Sequence, residues 1–278
     1  MDEPFRLQVK FWGVRGSTPT PVQANLGYGG NTACIEVRLP NNEMIIIDGG
    51  LGVRNLGLSL LEEFPSQNLA LQVFLTHFHW DHIQGLPFFP PLYNPANRIS
   101  FHSFPQKEQI RETLTGQMTT PYFPVNFALL AAARDFIQIA REPIHYGNLC
   151  VRAFPLNHPQ GACGYRIESN GAVVVIASDL EHGNPELDRV LRRYAEGADL
   201  LVYDAQYTPD EYPARKGWGH STHVEGARVA REAGVKQLVL FHHDPSHTDT
   251  MLDSIVEDAR ANFENTCAAR EGRSIYLS

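Results

Sequence analysis

The stretch Thr76-His77-Phe78-His79-Trp80-Asp81-His82 places three histidines and one aspartate within six residues. It follows the apolar run 69–75, and a short apolar run bounded by polar residues is typical of a buried strand. The four side chains would then lie in the loop that ends this strand, around one metal ion or two adjacent ones. Imidazole and carboxylate suit zinc, iron or manganese, and without a thiolate a closed structural zinc site is disfavoured. The stretch therefore predicts an open metal site.

Apolar runs and alternating patterns on both sides of this stretch predict the remaining elements. The predicted strands cover residues 7–13, 33–39, 44–47, 69–75, 149–156, 164–168, 172–177, 200–203, 237–241 and 274–277. The predicted helices cover residues 53–63, 107–114, 128–134, 185–194, 222–232 and 250–263. In both halves of the chain strands come first and then alternate with helices, an order that fits two packed sheets with helices outside them.

Length and composition limit the class of protein. The chain has 278 residues, of which 43% are apolar, so it can bury a sizeable core. No linker rich in Gly, Ser or charge divides it, which predicts one domain over residues 1–278. The sequence shows neither an apolar run of the ~18 residues that span a membrane nor a signal peptide, so we expect a cytoplasmic protein without membrane association. The net charge of −8 disfavours a broad surface for large nucleic acids.

Two loop regions and the cysteines allow more than one interpretation. The glycines of the segment 27–32 could form a phosphate cradle, but no helix opens there, and a tight loop near the site is favoured. Prolines and aromatic residues between 85 and 136 predict long loops over the mouth of the site. A dimer contact or ordinary surface packing is the alternative for this region. The widely spaced Cys34, Cys150, Cys163 and Cys267 predict free thiols.

Three further metal-competent residues stand where predicted strands end: His158, Asp179 and His242. Together with the His-x-His-x-Asp-His pattern, they resemble the metallo-β-lactamase superfamily over nearly the whole chain. The resemblance implies a four-layer αβ/βα sandwich and two divalent ions per chain, with zinc favoured and manganese or iron as alternatives. It implies the following ligands: His77, His79 and His158 for the first ion, Asp81, His82 and His242 for the second, and Asp179 as the bridge. It also implies that Asp48, which follows the strand 44–47, orients these ligands without binding the metal itself. An ordinary turn residue is the alternative.

The segment Gly219-His220-Ser221-Thr222 narrows the resemblance. Thr222 and Glu225 have the spacing of a capping box, so a helix is predicted to start there. Its N-terminus is a suitable place for phosphate. The segment resembles the His-Ser-Thr motif of the tRNase Z-type phosphodiesterase branch, and Asp204 matches the acidic partner of that histidine. True tRNase Z enzymes carry glutamate in His-Glu-Ala-Thr and a basic arm rich in glycine and proline, and the sequence departs from both features.

The predicted function is that of a dinuclear phosphodiesterase acting on a small phosphodiester, a cyclic nucleotide or a related nucleotide. The resemblance implies attack by a hydroxide held between the metals, with Asp81, His220 and Asp204 as catalytic residues. His220 would protonate the leaving oxygen, Asp204 would hold His220, and the amides near Ser221 and Thr222 would hold phosphate oxygens. The alternatives are RNA 3′-end processing, hydrolysis of a thioester or lactone, and a non-catalytic binding module. A homodimer is suggested by the resemblance alone.

Overall fold

The computed structural model describes residues 5–65, 67–104, 107–140 and 142–278, in which it shows fourteen strands and seven helices. The strands are β1 (Leu7–Gly13), β2 (Cys34–Arg38), β3 (Met44–Ile47), β4 (Ala70–Leu75), β5 (Arg98–Ser103), β6 (Ala133–Gln138), β7 (Ile144–Tyr146), β8 (Leu149–Leu156), β9 (Ala162–Ser169), β10 (Ala172–Ala177), β11 (Leu200–Asp204), β12 (Gln237–Phe241), β13 (Thr266–Ala268) and β14 (Ser274–Leu277). The helices are α1 (Gly52–Glu63), α2 (Trp80–Ile83), α3 (Lys107–Gln117), α4 (Pro185–Ala195), α5 (Tyr212–Arg215), α6 (His223–Glu232) and α7 (Asp249–Asn262).

The strands form two seven-stranded mixed sheets. One sheet has the order β14-β1-β2-β3-β4-β5-β6 and the other the order β13-β12-β11-β10-β9-β8-β7. Strands β3 to β6 pair in parallel in the first sheet, and β10 to β13 pair in parallel in the second. Since β9 is antiparallel to both β8 and β10, the chain direction of β8 matches that of β10. The carboxyl ends of these parallel strands therefore meet at one edge of each sheet.

Three apolar clusters define the layers. The first cluster joins residues of both sheets, such as Val37 and Phe74 from one and Tyr165 and Val202 from the other, so it lies between the sheets. The second packs α4, α6 and α7 on the outer face of the second sheet, and the third packs α1 and α3 on the outer face of the first. The fold is therefore an αβ/βα sandwich, as predicted.

Most predicted elements are confirmed to within a few residues, and the segment 128–134 is the clear error. No helix forms there; a short 3₁₀ turn at Phe127–Leu129 precedes strand β6. The strand is stabilised by its register with β5, from Arg98 opposite Ala133 to Ser103 opposite Gln138. This pairing is non-local, and the sequence of β6, half polar and half apolar without alternation, does not indicate a strand. Strands β5, β7 and β13 were not predicted from the sequence.

The loop at residues 27–32 is not a phosphate cradle. Its Asn31 amide donates to Glu271 Oε1 (2.5 Å) and its Asn31 side chain to Oε2 (2.8 Å), so a carboxylate of the chain already occupies these donors. The loop joins the segment that follows β1, since the amides of Val14 and Arg15 donate to the Asn31 carbonyl. The tight-loop interpretation is confirmed.

The four cysteines are free, and Cys34 and Cys163 are buried, as predicted. Within the described part of the chain, no helix has both the length and the apolar character needed to cross a membrane.

Candidate metal centre

The predicted ligands converge at the edge where strands of both sheets end. His77 follows β4, His158 follows β8, Asp179 follows β10 and His242 follows β12. Three of the predicted ligands are fully buried or nearly so: Asp179 is 1% exposed and His82 and His242 are 0% exposed. Such burial of ionisable side chains requires partners, because an unpaired polar group away from water is costly.

Seven side chains form two adjacent groups. One nitrogen from each of His77, His79 and His158 lies within 4.8 Å of the others. The same limit holds for one atom each of Asp81, His82, Asp179 and His242. Asp179 lies between the groups. Its Oδ2 is 3.1 Å from His82 Nε2, and its Oδ1 is 3.4 Å from His242 Nε2, 3.8 Å from His77 Nε2 and 3.9 Å from His158 Nε2.

Each of the five histidines has one ring nitrogen held from outside the centre. The acceptors, at 2.8–3.0 Å, are Thr76 Oγ1 for His77 Nδ1, Gln160 Oε1 for His79 Nε2, Asp48 Oδ2 for His82 Nδ1, the Gly219 carbonyl for His158 Nδ1 and Gln206 Oε1 for His242 Nδ1. Each bond places the proton on the outer nitrogen, so that the inner nitrogen offers a lone pair. This arrangement is typical of metal-binding histidines.

Among the described residues, the inner nitrogens face one another and the carboxylates of the centre; His82 Nε2 lies 3.1 Å from Asp179 Oδ2, and His242 Nε2 lies 3.2 Å from Asp81 Oδ2. His77 Nε2 is buried and has no hydrogen-bond partner among the described residues. His82 Nε2 faces His242 Nε2 at 3.2 Å, and His158 Nε2 faces His79 Nδ1 at 3.1 Å. With the outer nitrogens protonated, these pairs set one acceptor against another. Divalent cations would satisfy all five, so the residues present fit a metal centre.

The charge balance of the centre also favours cations. Burial lowers the pKa of His77 well below its ordinary value, and the neighbouring His82 adds to this effect. Burial opposes the charged form of His242, but Asp179 and Asp81 beside it raise its pKa to about 9. Burial alone would raise the pKa of Asp179, yet the surrounding histidines hold it well below its usual range. The carboxylates therefore stay ionised and favour positive charge beside them; protonated His242 supplies it without metal, and divalent ions would supply it when bound.

The backbone at the centre is held in an uncommon conformation. Seven described residues other than glycine have a positive φ, and five of them surround the ligands: Ser17, Asp48, Gln160, Asp179 and His242. Each costs about 1–3 kcal/mol when the residue is not suited to this region, and such residues concentrate at functional sites. Two glycines permit close approach. A Cβ at Gly16 would stand 2.4 Å from the His242 ring, and one at Gly219 would stand 2.4 Å from the His158 ring.

His220 lies beside the metal ligands with its ring anchored at one nitrogen. Its Nδ1 donates to Asp204 Oδ2 at 2.8 Å, and its ring stacks on that of His242 with a centroid distance of 4.9 Å. His220 lines the metal cleft together with Asp81 and Asp179. The structure thus brings together the pair that was predicted for acid catalysis.

Asp204 could itself be mistaken for a metal ligand, since one of its oxygens clusters with Asp179, His220 and His242. Both oxygens, however, accept bonds from the protein. The Oδ2 atom accepts from the amides of Asp179 (3.0 Å) and Leu180 (3.4 Å) as well as from His220. The Oδ1 atom accepts from the amides of Gln206 and Ser221. Asp204 is therefore an anchor for the surrounding loops and for His220.

The structure does not bring Ser221 and Thr222 into the cleft. Ser221 is 0% exposed, and its hydroxyl contacts His182 Nδ1 (2.9 Å) and Tyr203 (3.0 Å). Thr222 accepts from the Glu225 amide at 3.3 Å and caps α6, as the capping box predicts. The Ser221 amide, which was expected to hold phosphate, donates to Asp204 Oδ1 at 3.3 Å, and His220 is the member of this motif that lines the cleft.

Several residues that position the site were missed from the sequence. The amide of Ser17 donates to Asp81 Oδ2 at 2.7 Å. The buried guanidinium of Arg15 donates to four backbone carbonyls, those of Asn25, Gly29, Asp244 and His247, at 2.7–3.2 Å. Glu181 accepts from the amides of Gly217 and Gly219 and so fixes the loop that leads to His220. The segment Arg15-Gly16-Ser17 was visible as a turn, but nothing in it indicates its partners.

Known proteins resemble the chain over almost its full length. Ribonuclease Z of Thermoplasma acidophilum is 24% identical over 308 residues, covering 95% of this chain and 94% of the relative. The metallo-beta-lactamase fold protein YhfI from Bacillus subtilis has a TM-score of 0.72 at 19% identity, covering 98% and 99% of the two chains. A diphosphatase of the PhnP family has a TM-score of 0.69 at 16% identity, covering 98% of each chain.

The family described as the beta-lactamase superfamily domain matches residues 43–243, which is well over half of the chain. The matched range contains all seven candidate ligands as well as Asp48, Asp204 and His220. With its two mixed sheets, outer helices and the ligands at the shared edge, the chain belongs to the beta-lactamase superfamily and has the metallo-beta-lactamase fold.

Proposed function

We propose that this protein is a dinuclear metal-dependent phosphodiesterase, a hydrolase whose substrate is a small nucleotide phosphodiester. The observation that carries the proposal is the position of the His220–Asp204 pair in the same cleft as the two ligand groups that share Asp179. A thioester or lactone hydrolase needs the metals but leaves this pair without an evident task. Zinc suits the imidazole-rich ligand set, and manganese or iron would also fit it.

The ligand groups would hold two divalent ions, His77, His79 and His158 the first, Asp81, His82 and His242 the second, with Asp179 between them. Bound ions of this kind polarise phosphoryl oxygens and lower the pKa of water to about 7. The chain itself orients these ligands through the outer acceptors. Among them, Asp48 accepts from His82 Nδ1 and from the Thr76 hydroxyl, and thereby ties the two groups together.

His220 supplies the proton that the leaving oxygen needs. Because Asp204 accepts from Nδ1, the proton to be transferred is carried at Nε2, the other nitrogen of a ring that lines the cleft. The Asp204 bond fixes the ring orientation, and the His242 ring packs against one face of the imidazole. A positioned acid of this kind typically contributes about 10²–10⁴-fold to the rate.

The second candidate is an RNA 3′-end endoribonuclease. This candidate is supported by the similarity to Ribonuclease Z of Thermoplasma acidophilum, which aligns with 95% of this chain. The net charge of −8 favours the small substrate instead, because binding to a long polyanion is driven by cationic side chains. A homodimer with a basic groove would favour RNA instead. The homodimer remains a prediction, as does the organisation of the chain as one domain.

The assay that separates these substrates compares metal-loaded protein on three probes under one set of conditions. They are a panel of 2′,3′- and 3′,5′-cyclic nucleotides, bis(p-nitrophenyl) phosphate, and a precursor tRNA with a 3′ trailer. We expect hydrolysis of the first two and a far lower kcat/KM for the tRNA. Efficient cleavage of the tRNA at the trailer would establish the second candidate. Turnover of thioesters or lactones without any phosphodiester hydrolysis would contradict both.

Asp204→Asn is expected to lower turnover about 10- to 100-fold while both metals remain bound. The substitution removes the charge that faces His220 Nδ1 and sets an amide group against donors that now point at carboxylate oxygens. Metal content by inductively coupled plasma mass spectrometry and kcat on the same preparation test the prediction. If the variant loses metal in proportion to activity, Asp204 belongs with the ligands and not with His220.

Two glutamines offer a matched pair of substitutions behind the two ligand groups. Gln160→Leu removes the acceptor of His79 Nε2, and Gln206→Leu removes that of His242 Nδ1. Loss of such an outer partner typically costs 10- to 100-fold in metal affinity. Competition with a chelator should show weaker binding of one ion in each variant, the ion of the first group for Gln160→Leu and that of the second for Gln206→Leu. Equal loss of both ions in both variants would argue against two distinct sites.

A further inference from the structure

An apolar cavity adjoins the metal cleft and shares two residues with it. The cleft is lined by Phe78 and Trp80 together with His220 and three of the candidate ligands, and the same two aromatic residues form a wall of a second cavity of about 590 Å³. The rest of that wall comes from the segment after α2 and from the end of α3, with Phe88 and Tyr122 at the surface. This volume lies within the range of small-molecule sites, about 300–1,000 Å³.

The aromatic side chains around this cavity are unusually open to water. Trp80 is 78% exposed, Tyr122 80% and Phe88 51%. The ring of Phe88 packs edge to face on that of Phe123 at a centroid distance of 5.7 Å. Single exposed apolar residues are common on protein surfaces, whereas several exposed aromatic side chains at one cavity indicate a binding surface.

The polar groups of the cavity restrict the ligand further. No charged residue lines it within the described part of the chain, so it suits a neutral, flat group. Two glutamines contribute amides. Gln84 Nε2 donates to Thr32 Oγ1 (3.1 Å) and Gln117 Nε2 to the Ile83 carbonyl (3.3 Å). The amide oxygens remain as acceptors for a ligand, and they match the exocyclic amino group of a base.

We propose that this cavity binds a nucleobase of the substrate, so that the protein acts on phosphodiesters in which at least one ester group is a nucleoside. The proposal rests on the phosphodiesterase function, because the shared Phe78 and Trp80 place the base next to the cleft where the phosphate is held. Stacking of a base on aromatic side chains is tolerant of sequence, since every base has a π-face. The cavity therefore selects nucleotides as a class, with the glutamine oxygens favouring bases that carry an amino group.

The kinetic test uses two substrates with the same leaving group. The p-nitrophenyl ester of adenosine 5′-monophosphate carries a base, whereas methyl p-nitrophenyl phosphate does not. We expect Tyr122→Ala and Phe88→Ala to lower kcat/KM for the nucleotide ester about 5- to 100-fold. The methyl ester should be hydrolysed at the rate of the unaltered protein. Tyr276→Ala is the matched control, because Tyr276 is also an exposed tyrosine (57%) but belongs to β14 and not to the cavity.

A binding measurement keeps the proposal testable if neither ester is hydrolysed, a result that would count against the phosphodiesterase function alone. Stacking quenches the fluorescence of 2-aminopurine, so the 5′-monophosphate of 2-aminopurine riboside should lose intensity with the unaltered protein and much less with the Tyr122→Ala/Phe88→Ala double variant. The proposal is overturned if the unaltered protein causes no quenching, or if both esters respond equally to the substitutions. It is also overturned if the substitutions change only the oligomeric state in analytical ultracentrifugation, which would make the cavity a contact between copies.

Discussion

His220→Ala is expected to lower turnover by about 10²–10⁴-fold on a substrate with an alkoxide leaving group, with both metals still bound. An alkoxide is a poor leaving group unless it receives a proton as the bond breaks. His220 Nε2 is the donor for that proton, because Asp204 holds Nδ1 at 2.8 Å and the ring lines the metal cleft. Removal of the imidazole leaves the ligand nitrogens and their outer acceptors unchanged.

The dependence on the leaving group tests the role of His220. A nitrophenolate departs without protonation, so the variant should lose little activity on bis(p-nitrophenyl) phosphate and much more on a cyclic nucleotide. His145→Ala serves as the matched control, since His145 is exposed on β7 and lies away from the cleft residues. Equal losses on both substrates would assign His220 to phosphate binding. Unchanged activity on both would remove it from the mechanism.

Asp179→Asn is expected to lower turnover by at least about 10²-fold. Loss of a residue that only hydrogen-bonds to a metal ligand already lowers metal affinity or activity by about 10- to 100-fold, and Asp179 stands between the two ligand groups. Its oxygens lie 3.1 Å from His82 Nε2 and 3.8 Å from His77 Nε2. Asparagine tolerates the positive φ of 61° at this position, so the backbone is retained and the charge alone is lost.

The metal content of the Asp179→Asn variant should fall below that of the unaltered protein in parallel with its activity. Asp210→Asn, a substitution of an exposed aspartate, provides the comparison for the loss of one negative charge. If Asp179→Asn retained full metal content and activity, Asp179 would not bridge the two groups, and the arrangement of the centre would have to be reassigned.

Sequence patterns predicted the strands best where a strand is apolar throughout, as in Met44–Ile47 and Ala172–Ala177, since burial on both faces leaves a run that no loop would carry. They failed at β6, Ala133–Gln138, whose residues are all partly or fully exposed and of which half are polar. Its conformation depends on pairing with β5, a strand that was itself missed. A segment that shows neither a helical nor an alternating pattern of apolar residues does not reveal its conformation from sequence alone.

The candidate ligands could be predicted because each follows a strand and the pattern around His77 is dense. Their supporting residues could not. Gln160, Gln206 and the amide of Ser17 reach the centre from loops remote in sequence, and a single glutamine or serine carries no pattern. The expectation for Ser221 had a physical basis in the helix N-terminus, but the structure shows its hydroxyl and amide already bonded.

The aromatic segment between 85 and 136 illustrates the same limit. Its composition predicts loops over the mouth of the site, and it leaves a dimer contact equally open. Only the three-dimensional structure shows that Phe78 and Trp80 belong to both the cleft and the cavity beside it.

The most direct test of the dinuclear centre is the metal content of gently purified protein, measured together with turnover for the unaltered chain and for His82→Ala. His82 belongs to the second ligand group, and its Nε2 lies 3.1 Å from Asp179 and 3.3 Å from Asp81. We predict close to two equivalents of divalent metal per unaltered chain, and in His82→Ala a selective loss of the ion in the second group together with most of the turnover. One equivalent per unaltered chain, stable and accompanied by full activity, would contradict the dinuclear centre.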